Sequence, residues 1–135
     1  VVAAASEPHP FQFLYSLDEP LGVRIHRIAT EIYGADGVVY EPAAAARLAE
    51  LEADPASRDL GVCMAKTQYS LSHDPQRKGR PRGWTLPVRD LLVYQGAGFV
   101  VPVAGDIRLM PGTGSDPAFR RIDIDVDTGK VHGLF

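Results

Sequence analysis

The apolar positions along the chain switch period twice, and each switch marks a different kind of element. In "DEPLGVRIHRIATEIYG", Leu21, Ile25, Ile28 and Ile32 fall at i, i+4, i+7 and i+11, the spacing of one helical stripe. Asp18 is placed to cap this helix, Pro20 sits in its first turn where a missing N–H costs nothing, and Gly34 ends it. "EPAAAARLAELEADP" (41–55) predicts a second helix, with Pro42 near its start and Pro55 beyond its end. Its alanines favour helix and its apolar stripe is thin, which places it on the surface.

Elsewhere the period shortens to two or disappears. "FQFLY" (11–15) alternates as a short strand, and "LGVCMA" (60–65) is an apolar run that predicts a buried one. "TLPVRDLLVY", "GFVVPVAG" and "DIRLM" follow as three further strands, divided by "QGAG" and Gly105. In "RRIDIDVDTGKVHGLF", Ile122, Ile124 and Val126 alternate with Arg121, Asp123 and Asp125, so the apolar set is expected inward, and "DTG" supplies a hairpin turn. Residues 67–84 carry no period and predict a long irregular loop, a feature that is usually functional or mobile. Helices first and antiparallel strands after give an α+β fold. The expected architecture is two N-terminal helices packed on a mostly antiparallel, roll-like sheet that closes with a C-terminal β-hairpin. Residues 1–10 read as a tail or linker, and 11–135 as one domain.

Composition narrows the field. The 135 residues suit a single domain, and 45% apolar with 23% charged residues is ordinary for a globular chain. No apolar run approaches the roughly 18 residues of a membrane span. The net charge of −3 gives no general attraction for nucleic acid or an anionic membrane, so any basic site is local. One cysteine excludes an internal disulfide and fits a reducing compartment; Cys63, inside an apolar run, is expected to be buried and inert. The opening "VVAAASEPHP" has no Met and looks like a linker or a cut, whereas the final "GLF" suggests a packed terminus.

Most candidate motifs fail on geometry. "SHD" (72–74) holds the residue types of a hydrolase triad, but three neighbours in sequence cannot converge, and Asp74 before Pro75 reads as a turn. His9, His26, His73 and His132 have no metal-ligand spacing, and His26 falls on the solvent side of the first helix. "DIDVDTG" departs from a calcium loop, with glycine at position 7 and Leu134 where the bidentate Glu belongs. "GAGFVV" lacks a dinucleotide fingerprint's third glycine, and no GxxxxGK[ST] occurs, so the chain contains no phosphate cradle of that type. What remains is "QRKGRPRG" (76–83), flanked by Lys66 and Arg89, whose cations would suit an anion or simply face solvent.

The stretches "FQFLYSLDEPL", "IATEIYGADGV", "VCMAKTQYSLSHDP", "GRPRGWTLPVRD", "GAGFVVPVAGDI", "MPG", "PAFRRIDID" and "GLF" run in order through residues 11–135. In them the chain resembles the C-terminal portion of the formate–tetrahydrofolate ligase family. The resemblance implies a cytoplasmic homotetramer that uses Mg-ATP to make formyl phosphate and passes the formyl group to N10 of tetrahydrofolate, with a response to a monovalent cation. It also implies an upstream P-loop domain, so a chain of this extent is expected to be inactive alone and to hold no cofactor tightly. The expected substrate-facing residues are Lys66, Thr67, Gln68 and Tyr69, with Arg80 and Arg89 reaching a folate carboxylate or a neighbouring subunit; the alternative is a purely structural loop. Two positions depart from the family pattern: "MPGTGSDP" replaces MPGLP, and Trp84 stands where Phe is common, adding an N–H that needs a partner if buried.

Overall fold

Why the chain places its helices where it does is visible at their ends. The computed structural model describes residues 2, 6, 7, 12–105, 107 and 120–133. Helix α1 spans Leu21–Arg27 and widens into a π-turn over Ile28–Ile32. Its N-cap is Pro20 and not Asp18; Asp18 is held in a local turn by its N–H donating to Ser16 Oγ at 3.2 Å. The cap arrives from elsewhere in the fold, because Gly22 N–H donates to Glu52 Oε1 at 2.9 Å. Thr30 Oγ1 donates back to His26 O at 2.9 Å inside the widened turn, a bond that competes with the helical ladder. The wider turn rotates the stripe. Leu21 and Ile25 are buried as expected, but Ala29 is the next core residue and Ile32 is exposed. Gly34, at φ +75°, ends the helix in the left-handed conformation.

Helix α2 spans Pro42–Ala53 and buries Ala44 and Leu51, a thin stripe as its composition implies. Strands β1 (Gly37–Tyr40), β2 (Gly61–Val62), β3 (Thr85–Tyr94) and β4 (Phe99–Ala104) form one sheet in the order β1-β3-β4-β2. The central β3–β4 pair is antiparallel, while β1 and β2 add parallel to it on the two outer edges. A small antiparallel hairpin, β5 (Asp123–Ile124) with β6 (Val131–His132), forms a second sheet. The α+β class therefore holds, with mixed outer strands.

Register assigns the faces. Val38, Leu86, Val88, Leu91, Val93 and Val100 join Leu21, Ile25, Ala29 and Leu51 in one core between the helices and the sheet. At the Val88/Asp90 shift in pairing, Arg89 is the extra residue of a bulge.

Several expectations need correction. Residues 12–15 form no strand (Phe11 lies outside the described residues); Tyr15 instead turns its hydroxyl to accept from Val62 N–H at 3.0 Å. "LGVCMA" is an interrupted edge strand. It pairs over Gly61–Val62 and again at Ala65↔Val103, because Pro102 has no N–H to offer the carbonyl of Cys63 between them. Cys63 itself is exposed, a consequence of its place on the sheet's edge. The hairpin turn forms at "DTG", yet Ile122, Ile124 and Val126 are not inward: Val126 is 92% exposed. The tail, the "DIRLM" strand, the "MPGTGSDP" departure and the final Leu134–Phe135 lie wholly or mostly outside the described residues.

Candidate functional site

The 66–84 segment is irregular but far from structureless. Its base is fixed to the end of the sheet: Ala104 N–H donates to Ala65 O at 2.8 Å, and Asp36 N–H to Trp84 O at 2.8 Å. Gly105, at φ +69°, lies so close that a Cβ there would sit 2.8 Å from His73 O. Inside the loop, Leu71 N–H donates to Gly79 O at 2.8 Å, and Ser70 pairs with Gly79 in an isolated bridge.

Two buried hydroxyls organise the rest. Ser70 Oγ donates to Arg77 O at 2.6 Å and accepts from Ser72 N–H at 3.0 Å. With that proton committed, the 2.8 Å contact between the two hydroxyls is a donation from Ser72 to Ser70, and Ser72 Oγ accepts from Asp74 N–H at 3.1 Å. The "SLS" pair was not singled out in the sequence because two serines in a polar stretch carry no period. Asp74 performs the expected turn, its Oδ1 accepting from Gln76 N–H at 2.8 Å. Trp84 is buried, and its indole N–H donates to Pro81 O at 3.1 Å, so the extra donor is satisfied. His73 packs against Trp84 with ring centres 6.1 Å apart.

The expected site residues divide into three groups. Lys66 and Thr67 turn inward. Lys66 Nζ donates to Thr67 O at 3.0 Å and to Ser70 O, and lies 4.9 Å from the centre of the Tyr33 ring. Desolvation holds its ammonium below the usual lysine range. Thr67 is buried and its Oγ1 accepts from Tyr69 N–H at 3.3 Å. Gln68 and Tyr69 form the outward crest; Tyr69 is 62% exposed. Arg80 is exposed on the returning limb, its Nε 3.5 Å from where a Cβ on Gly34 would stand, which brings it beside the end of α1 and Tyr33. Burial, then the Cys63 charge, raises the Tyr33 phenol above its usual range. Arg89 is not part of this group. It lines a separate cavity of about 350 Å³ with Glu41, Asp90, Leu92 and Val103.

A larger cleft of about 500 Å³ opens between the two helices, lined by Asp18, Glu19, Glu52 and Asp54 among others, with Arg24 and Arg58 as its cations. Four carboxylates against two guanidiniums make it a poor receptor for a polyanion. Arg24 was missed in the sequence because it lies on the apolar side of α1. It is 2% exposed, and its guanidinium donates to Leu60 O at 2.5 Å and Arg58 O at 3.1 Å. That pair ties the helix to the turn before β2.

The loop crest therefore offers an amide, a phenol and a guanidinium over a rigid base, groups that bind and orient a polar ligand but contain no paired nucleophile and base. It is an exposed polar crest on an α+β domain, and its geometry alone selects no reaction class. The family model described as formate–tetrahydrofolate ligase matches residues 1–135. The chain belongs to the formate–tetrahydrofolate ligase family. It is 62% identical to the formate–tetrahydrofolate ligase of Desulfotalea psychrophila over 135 residues, all of this chain and 24% of that protein. Against the ligases of Dehalococcoides mccartyi and Desulfovibrio desulfuricans the identities are 61% and 60%, again over all of this chain and 23% of each relative. The chain thus spans about a quarter of the length of the curated relatives it matches.

Proposed function

We propose that this chain is the C-terminal domain of an ATP-dependent ligase that joins formate to tetrahydrofolate. The family match over all 135 residues, with coverage of only 23–24% of the relatives, supports a fragment of such a ligase, and the resemblance of its motifs to the C-terminal portion of the family is what favours that position. In the proposed reaction a formate oxygen attacks the γ-phosphorus of Mg-ATP, releasing ADP and giving formyl phosphate. N10 of tetrahydrofolate then attacks the formyl carbon and displaces phosphate, giving 10-formyltetrahydrofolate. Such chemistry rests on a phosphate cradle and positioned cations. No GxxxxGK[ST] is present in these residues, so in this reading the cradle comes from the remaining part of the enzyme. Gln68, Tyr69 and Arg80 then form one wall of the substrate site, and Lys66 and Thr67 hold that wall in shape.

The inward turn of Lys66 onto the Thr67 and Ser70 carbonyls favours a second reading, in which the loop is structural and the domain serves folding or assembly. Substitution of Gln68 by Ala in the full-length enzyme separates the two. A substrate wall predicts a fall in kcat/KM of about tenfold or more, since 1.4 kcal/mol of lost transition-state contact is one decade. Unchanged kinetics with altered assembly supports the structural reading. Formation of 10-formyltetrahydrofolate by the 135-residue chain alone would overturn both.

A further inference from the structure

Charge is spread unevenly along this chain. Between residues 66 and 84, Lys66, Arg77, Lys78, Arg80 and Arg82 stand against the one carboxylate of Asp74, a local charge of +4 in a chain whose net charge is −3. Most of the arginines are occupied. Arg27, Arg47 and Arg58 pair with Glu19, Glu50 and Asp18, and Arg24 and Arg77 donate to backbone carbonyls. Arg89, Arg120 and Arg121 are engaged as well. Lys78, Arg80 and Arg82 are exposed, and among the described residues no acceptor meets any of their side chains. Asp74 pairs with none of them, and its Oδ1 instead accepts from Gln76 N–H at 2.8 Å.

The backbone that carries these three cations is nonetheless pinned. Arg77 O accepts from the hydroxyl of buried Ser70, which in turn accepts from buried Ser72. Gly79 N–H donates to Tyr69 O at 3.4 Å, and Gly79 O accepts from Leu71 N–H at 2.8 Å. Pro81 O accepts from the Trp84 indole N–H at 3.1 Å, and Arg82 O from Arg77 Nη2 at 2.8 Å. An ordered backbone with unpaired side chains is the condition under which a receptor loses least entropy on binding. From this we infer that the 78–82 limb is a docking site for an anion that carries several carboxylate or phosphate groups. The two guanidiniums match either group through paired N–H donors, and the lysine adds a point charge. Four residue steps span at most about 14 Å, so three cations along them suit a linear polyanion better than a lone orthophosphate. The inference deepens the reading of Arg80 as part of a substrate wall and rests on that reading; it adds Lys78 and Arg82 to the wall.

Residue-resolved chemical labelling of the full-length ligase tests this, with each preparation first assayed for 10-formyltetrahydrofolate synthesis. Arg80 and Arg82 are labelled with phenylglyoxal and Lys78 with acetic anhydride, in the presence of tripolyphosphate, of 1,2,3-propanetricarboxylate or of neither. Sodium chloride equalises the ionic strength, because salt alone screens surface charge beyond about 8 Å. A docking site slows labelling at all three positions about fivefold, the protection expected at an anion concentration four times Kd, while Arg47, paired with Glu50, keeps its rate. Which of the two anions protects identifies the ligand as a phosphate or a carboxylate. Protection by neither in an active enzyme overturns the inference and leaves the proposed reaction standing; an inactive preparation that is protected counts against the reaction alone. Cations that resist labelling before any anion is added also overturn it, since another part of the enzyme then covers them. Arg80→Gln keeps the test local: protection at Lys78 and Arg82 should fall when one of the three cations is removed. Protection left unchanged by that substitution would come from an anion bound elsewhere, and the docking site would be refuted.

Discussion

Replacing Lys66 by Met keeps most of the aliphatic stem and removes the ammonium, so it isolates what the charge does. In the structure that charge donates to the carbonyls of Thr67 and Ser70 and faces the Tyr33 ring at 4.9 Å. Hydrogen bonds from a charged donor contribute roughly 1.5–3 kcal/mol each and a cation–π contact about 0.5–1 kcal/mol, a gross sum of about 4–7 kcal/mol. The group's lowered pKa shows that partial desolvation works in the opposite direction. We therefore expect a net loss of about 2–3 kcal/mol, confined to the loop. At 1.4 kcal/mol per decade, amide exchange at Leu71 and Gly79 in the full-length enzyme should accelerate roughly 30- to 140-fold. These are the amides that donate across the loop to Gly79 O and Tyr69 O. The core amides of β3 and β4 should not change. Acceleration of less than about threefold at Leu71 would show that the loop holds its shape without Lys66, and the assignment of an anchoring role would be wrong.

Three other outcomes follow from the same geometry. Arg24→Met strips Leu60 O and Arg58 O of their buried donor and should cost about 2–4 kcal/mol, read as faster amide exchange through α1; a change below about 0.5 kcal/mol would remove Arg24 from the framework. Burial, and then the Glu52 carboxylate, push the Tyr40 phenol up to about 12, and no described partner meets its Oη. Because the folded pKa lies above the unfolded value of 10.0, the associated stability is complete below pH 10 and is lost as pH rises through 12; Tyr40→Phe should abolish that loss in alkaline denaturation. Asp125 is held below its ordinary 3.8 chiefly by the Thr128 N–H and then the Asp127 N–H, so the hairpin turn is fully stabilised above 3.8 and weakens as pH falls through the lowered value. Amide shifts of Asp127 and Thr128 should follow that titration and lose it in Asp125→Asn.

The sequence was most legible where a local period met a local stop. Helix α2 begins at Pro42 and β3 covers Thr85–Tyr94 as their patterns indicate, because each is decided by neighbours in the chain. Failures cluster where a distant group supplies what the local sequence was expected to supply. Glu52 caps α1 from 30 residues away, so Asp18 is not needed there. Tyr15 meets Val62 through its hydroxyl, so its segment need not be a strand. The missing N–H of Pro102 splits β2, a cross-strand effect that the run "LGVCMA" does not contain. In the candidate site, the Asp74 turn and the need of Trp84 for a partner were readable. The inward turn of Lys66 was not, since it depends on where Ser70 O falls after the chain has bent.

Among the described residues, the hydrogen bonds of the 66–84 loop close mostly within the loop or onto the strand ends beside it. The sheet face turned from the helices is itself partly closed, because Val101 and Val103 are buried and exposure is confined to Tyr94 and Phe99 at the hairpin end and to Val39 at the other end of β3. The strand pairing that orients Val103 also orients the loop, since Ala65 and Val103 are bridged directly. A charge introduced at buried Val103 should therefore loosen the sheet and the loop together, read as faster amide exchange at both Ala104 and Leu71. Faster exchange at Ala104 with Leu71 unchanged would mean that the loop holds its shape without the sheet.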